Sequence, residues 1–241
     1  MHRFFLFFLS FVLSTSLTIA QIAYVEGMPY VSKQSLKADH GILTINPPSD
    51  FEIELQEQDK PGPWRFGYEH DLSLSVTEAG KWTTLPNGKR MLVLKIDAPG
   101  AHTLNYQFNK FYLPQGVVMY IYAPETGHKI GGLNHQNNNK HNMLATAPMA
   151  GDQAFIELQV EESVDVSSIE LNLSMVVYGY HDFFKLAKDF GDSGFCNNNV
   201  NCPVGDDWRD QQRSVALIVA GGGGCTGALV NNTEQDGTPY F

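Results

Sequence analysis

Cysteine is scarce and unevenly placed. The 241 residues include 3 cysteines, Cys196, Cys202 and Cys225, all near the C-terminal end. No disulfide framework can therefore hold the long segment before them, which has to be stabilised by its own core. Basic residues are also few, 16 Lys and Arg against 26 Asp and Glu, for a net charge of −10. Phosphate-backbone binding needs clustered Lys and Arg, so nucleic acid is not an expected partner. Beyond the first twenty residues there is no apolar run long enough to span a membrane. Spaced metal ligands are missing too. His128, His135 and His141 share one polar stretch, but the nearby acidic residues are only Glu125 and Asp152, and no H-x-x-x-H spacing falls on a helix. With Asn137, Asn138 and Asn139 among them, these histidines read as a solvated loop, and neither a metal nor a cofactor is expected. His102 and His181 sit near strand ends and read as surface or core-edge residues.

The N-terminus carries the first positive signal. Met1-His2-Arg3 is a short basic start, Phe4 to Leu13 is apolar except for Ser10, and small residues lead to Ala20 before Gln21. This is the layout of an export signal, with cleavage expected between Ala20 and Gln21. The mature chain is then secreted or extracytoplasmic and has no membrane partner after signal removal. Export makes disulfides chemically possible, and the odd count leaves at least one thiol without an internal partner. Cys196 and Cys202 are close enough to pair with each other, which would leave Cys225 over.

The body of the chain reads as β-structure, with hydrophobic content of 43% to build a core. Short strands are expected at Ile42–Ile45 and Phe51–Leu55. Leu72, Leu74 and Val76 alternate with polar residues, as do Leu104, Tyr106 and Phe108, the period of a half-buried strand. Met91–Ile96, Val117–Tyr122 and Ala154–Val160 are more fully apolar strands. Ile169–Leu173 and Met175–Tyr178 complete the set. Turn signals separate them at Leu85-Pro86-Asn87-Gly88, Asp97-Ala98-Pro99-Gly100 and Leu113-Pro114-Gln115-Gly116. Residues 124 to 144 read as a polar loop. Short strands, regular turns and no helical period predict a β-sandwich over residues 60–182, preceded by an N-terminal segment, 21–59.

The composition shifts at Phe183. Residues 183–190 read as a linker or helical turn containing Lys185 and Lys188. Ser214–Val219 and Thr226–Val230 read as strands joined by Gly221–Gly224. A third apolar run begins at Pro239-Tyr240-Phe241. Two or three strands cannot bury enough surface to be stable alone, so residues 191–241 are expected to be an unfinished domain with an unpaired strand edge and poor packing.

Gly191-Asp192-Ser193-Gly194 has the form of the segment around the nucleophile of chymotrypsin-like proteases. That role is set aside for Ser193. In that fold His and Asp precede Ser within one double barrel, whereas a separate sandwich precedes Ser193, and Phe195 stands where a second glycine is usual. The stronger likeness spans Gly191 to Phe241. Cys196, Cys202-Pro203, Gly205-Asp206, Cys225-Thr226-Gly227, Leu229-Val230-Asn231 and Pro239-Tyr240-Phe241 resemble, in order, the start of the mature domain of lysyl-endopeptidase-type secreted serine proteases. Upstream, Trp64-Arg65-Phe66-Gly67, Gly80-Lys81-Trp82, Leu85–Gly88, Ala98–Ala101, Phe111–Gly116, Gly151-Asp152 and Tyr178-Gly179-Tyr180 resemble the pro-region of the same proteases.

The resemblance implies a precursor in which an all-β sandwich pro-region is followed by the first barrel of a chymotrypsin-like double β-barrel. The full-length form would hydrolyse protein or peptide substrates through a Ser/His/Asp triad, and the pro-region would pack on its own protease domain. The triad is expected beyond Phe241, so no catalytic residue is assigned within these residues and the fragment is expected to be inactive. The resemblance also implies that Cys196, Cys202 and Cys225 each bridge to cysteines further along. Processing is expected at Lys188, Asp189, Phe190 and Gly191, where an exposed linker would be cut. The rival expectation is a stand-alone secreted sandwich that binds or inhibits a protease. Asn172-Leu173-Ser174 and Asn231-Asn232-Thr233 match the glycosylation sequon, but their strand and turn settings favour structural roles.

Overall fold

A computed structural model describes residues 27–30, 40–58, 64–186, 202–230 and 233. Its strands, in chain order, are β1 (Gly41–Thr44), β2 (Trp64–Arg65), β3 (Gly67–Ser75), β4 (Lys81–Thr84), β5 (Arg90–Asp97), β6 (Thr103–Tyr112), β7 (Val117–Ala123), β8 (His128–Leu133), β9 (Leu144–Ala145), β10 (Met149–Ala150), β11 (Gln153–Val160), β12 (Glu170–Gly179), β13 (Val215–Ala220) and β14 (Gly223–Ala228). The helices are short: α1 (Asp50–Gln58), α2 (Val76–Ala79), α3 (Phe183–Leu186) and α4 (Arg209–Ser214). The fold is all-β, as the alternating patterns require.

Two sheets face each other. The first runs β1-β5-β11-β7-β8, with β4 also on β5. The two halves of one β5 edge have different partners: β4 pairs antiparallel with Arg90–Val93, and β1 pairs parallel with Leu94–Asp97. The second sheet runs β10-β6-β12-β3, with β9 also on β6. Alternate residues of both sheets meet in one core. Leu92, Leu94 and Ile96 of β5, Ala154, Ile156, Leu158 and Val160 of β11, and Val117, Met119 and Ile121 of β7 oppose Leu104, Tyr106 and Phe108 of β6 and Leu173, Val176 and Tyr178 of β12. Side chains two apart lie on one face, which is why the period of two seen in the sequence becomes a buried layer here.

The two runs at the end of the sandwich are one strand. Leu171 and Leu173 face the core, and so do Val176 and Tyr178, so the parity changes between them. The ladder slips between Leu173 and Met175. The extra residue is Ser174, whose hydroxyl donates to the Gln107 carbonyl at 3.0 Å. A bulge of this kind adds one residue and moves the following side chains to the other face. The expected turns form as well. At Pro99-Gly100 the Ala101 N–H reaches the Ala98 carbonyl at 3.1 Å, with Gly100 at φ +85°, a left-handed position that glycine adopts without penalty.

Two expectations are corrected. Phe51–Leu55 is not a strand: it lies inside helix α1. Ser49 and Glu52 form a reciprocal cap. The Ser49 N–H donates to Glu52 Oε2 at 2.8 Å and the Glu52 N–H to Ser49 Oγ at 3.3 Å. That S-x-x-E box satisfies otherwise orphaned helix-end amides, and it outweighs the weak alternation of Phe51, Ile53 and Leu55. The polar stretch 124–144 is also not all loop. A tight turn closed by Gly127 N–H to the Ala123 carbonyl at 2.9 Å returns the chain as β8, paired with β7. Gly131 and Gly132 masked its pattern, because glycine contributes no side chain to an alternation.

The described C-terminal part begins with a 3-10 turn at Pro203–Trp208 and α4, which the sequence reading left without structure. Hairpin β13–β14 follows. Its third partner is β2 from the head of the sandwich: Gly223 pairs with Arg65 and Gly224 with Trp64.

Candidate functional site: the junction of the sandwich edge and the glycine turn

The junction begins with β2 and the first residues of β3. Phe66 is wholly buried. Its ring centroid lies 5.6 Å from Trp64 and 5.0 Å from Phe183 of α3. Aromatic pairs of this kind add about 0.5–1.5 kcal/mol beyond area burial. The backbone amides of Phe66 and Gly67 meet the glycine run. Both amides donate to the Gly222 carbonyl, at 2.9 Å and 3.1 Å.

Side chains complete the clamp. Glu69 Oε1 accepts from the Gly222 N–H at 2.9 Å, and Arg65 Nη1 reaches the same oxygen at 3.2 Å. The Arg65–Glu69 pair is half-exposed, so its own contribution is small, about 0–1 kcal/mol; its effect is to aim the carboxylate. The backbone bond to that carboxylate is charge-assisted and belongs to the stronger class. Asn105 Nδ2 donates to the Gly221 carbonyl at 3.3 Å. These groups, a carboxylate, a guanidinium and an amide set against backbone amides, grip a peptide main chain. They do not form a nucleophile with its base.

Helix α1 lies beside this edge. Tyr68 Oη donates to Glu52 Oε1 at 3.1 Å, and His181 Nε2 lies 3.0 Å from Glu57 Oε1. The bonds from Ser49, backbone first, lower the Glu52 pKa, and the bond to Glu52 raises that of Tyr68. His70, between the rings of Tyr68 and Tyr178, has its pKa lowered by burial, and its Nε2 has no hydrogen-bond partner among the described residues.

The residues expected from the sequence scatter. Ala20, Gln21, Lys188, Asp189, Phe190, Gly191, Ser193, Cys196 and Asn231 lie outside the described residues. Cys202 and Cys225 are exposed and not joined to each other. His128 Nδ1 accepts the Ala150 N–H at 3.0 Å. Among the described residues no three His, Cys, Asp or Glu are grouped to hold a metal. Asp152 Oδ2 instead accepts the Gly100 N–H at 3.3 Å. Asn172 bonds to Asn109 Oδ1 at 2.7 Å within the sheet. Among the described residues no helix is long and apolar enough to cross a membrane.

Arg65, Glu69, Asn105 and Gly222 escaped sequence reasoning. One signal was present: four consecutive glycines are more than a hairpin turn needs. Such a run marks close backbone approach.

Residues 53–179 match the lysyl endopeptidase N-terminal domain, more than half of the chain, and residues 190–241 match the lysyl endopeptidase C-terminal domain. The two matches together mark a precursor of the lysyl-endopeptidase type. The chain belongs to the lysyl endopeptidase family. The crystal structure of Aeromonas hydrophila PliG, a periplasmic lysozyme inhibitor of g-type lysozyme, is similar over 57% of this chain and 96% of that one, at 12% identity and a TM-score of 0.22. That score is too low for the likeness to carry an argument about function.

Proposed function

We propose that residues 1–20 export the chain, that the sandwich is a pro-region, and that residues 191–241 open the first barrel of a chymotrypsin-like protease domain. The residues that hydrolyse the peptide bond are then supplied outside these 241 residues, and the substrate is a protein or peptide. The observation that carries this reading is the order of the two family matches, which leave only residues 180–189 between them. Those ten or so residues contain both linker lysines.

Processing follows from the same boundary. Lys185 sits within α3, its N–H bonded to Asp182 Oδ1 at 3.0 Å. Phe183 and Phe184 anchor that turn on Phe66 and His128. A protease needs an extended, unpacked segment, so Lys185 is a poor site and the cut falls at Lys188 to Gly191. N-terminal sequencing of the secreted mature protein tests this. A start at residues 189–191 is expected, and a start far from Gly191 sinks the reading. The chain from Gln21 to Phe241 is expected to hydrolyse no peptide substrate.

The second reading, a stand-alone binding or inhibitory module, draws support from the sandwich core, whose buried hydrophobic side chains among the described residues run from Ile45 to Tyr178. Reading-frame sequence after the Phe241 codon that encodes a histidine followed by cysteine would rule it out.

A further inference from the structure

We propose that the sandwich edge Trp64–Glu69, together with Asn105, is a docking site for a turn without side chains, and that its occupant is Gly221–Gly224 of the protease segment. The sandwich then stays attached to that segment after the linker is cut. The proposal rests on reading residues 191–241 as protease-domain sequence.

The site is specific because of what cannot fit. A Cβ on Gly222 would lie 1.9 Å from the Gly67 carbonyl oxygen, which is backbone inside a sheet and cannot move aside. Gly67 is itself confined, since a Cβ there would meet Val177 Cγ1 at 2.6 Å and the Tyr178 carbonyl at 3.1 Å. Gly67 is thus fixed against β12, and the close approach across the junction depends on Gly222. At Gly221, φ is +55° and a Cβ would meet Glu69 Oε1 at 2.1 Å. Gly224 is different: a Cβ there makes ordinary contact with Trp64 at 3.4 Å. The recognition thus reads one position, Gly222, far more strictly than its neighbour two residues on.

The clamp itself lies outside the linker. Among the described residues, its bonds and pairings join residues 64–69 or 105 to residues 221–224. Cutting the linker leaves those contacts in place and costs them the effective concentration that the linker supplied. While docked, β2 occupies the Gly223–Gly224 part of the β14 edge and denies it to any other strand. The pro-region thereby restrains the first hairpin of the protease.

The test uses the chain from Gln21 to Phe241 with a viral-protease cleavage sequence placed at residues 188–190. After cutting, the two pieces of the unsubstituted chain are expected to co-elute on gel filtration. The Gly222, Phe66 and Gly67 amides should exchange at least about tenfold slower than open amides. Gly222→Ala should separate the pieces and lose that protection, whereas Gly224→Ala should keep both. If Gly222→Ala also strips protection from β11, so that the sandwich itself has failed, Glu69→Ala decides. It should lose protection at Gly222 alone while β11 stays protected. Separation of the unsubstituted pieces, or Gly222→Ala and Glu69→Ala behaving like the parent, overturns the docking site. None of these outcomes bears on the endopeptidase reading, which is judged by the mature N-terminus and by activity.

Discussion

The sandwich and the C-terminal hairpin are both built from apolar strands, yet among the described residues only the sandwich has a core. Leu158 in β11 is wholly buried between two sheets, while Leu217 in β13 is 58% exposed and Val215 52% exposed. Trp208, Leu229 and Val230 are exposed as well. Strand sequence alone does not bury a side chain; a second layer must face it. The sandwich provides that layer from its own residues. The hairpin is joined to β2 along its edge and has no such layer among the described residues.

The sharpest way to break this comparison is to truncate one leucine in each region. Leu158→Ala should cost about 2–5 kcal/mol, the transfer loss plus a cavity, read as a lower urea midpoint. Leu217→Ala should change stability by less than about 0.5 kcal/mol. Equal costs would mean that the hairpin face is covered after all. Next in size is the cap of α1. Ser49→Ala should cost about 0.5–2 kcal/mol of helix stability, seen as faster amide exchange over residues 50–58 with the sheets unchanged. No loss there would mean that α1 depends on its packing against Tyr68 rather than on its cap.

The smallest effect is a pH dependence inside the sandwich. Burial lowers the His70 pKa in the folded state. The unfolded chain, with an ordinary imidazole near 6.5, therefore binds the proton more readily. Stability should fall as pH drops through that value and level off below the lowered folded one. Glu52 is the charged group facing His70 from α1, and it acts in the opposite sense by raising the His70 pKa. His70→Phe keeps a ring between Tyr68 and Tyr178 and should flatten the loss of urea midpoint between pH 7.5 and pH 5. An unchanged slope would assign the loss to other groups. Glu52 and Asp165, both held low chiefly by serine hydrogen bonds, lose their contribution only at more acidic pH, as the carboxylates protonate.

Much of the sandwich was legible in the sequence because its strands alternate and its turns carry Pro and Gly at positions that turn geometry demands. Pro99-Gly100 and the run Ala154–Val160 are of this kind. What was not legible depended on groups that leave no apolar pattern. The Ser49–Glu52 cap is polar, β8 hides behind two glycines, and the Ser174 bulge splits one strand into two apparent runs. The candidate site was the least legible part. Gly222 and Glu69 are 153 residues apart in the chain, and nothing local marks either as the partner of the other.

By itself, then, the sequence determined an all-β chain, an ordered series of strands and turns, and membership of a protease-precursor family, because periodicity, turn chemistry and ordered motifs are local properties. Only the tertiary structure decided which edge meets which turn. It did so because the Gly222 backbone can come this close to the Gly67 carbonyl only without a Cβ at Gly222, and that meeting of distant residues exists only when the chain has folded.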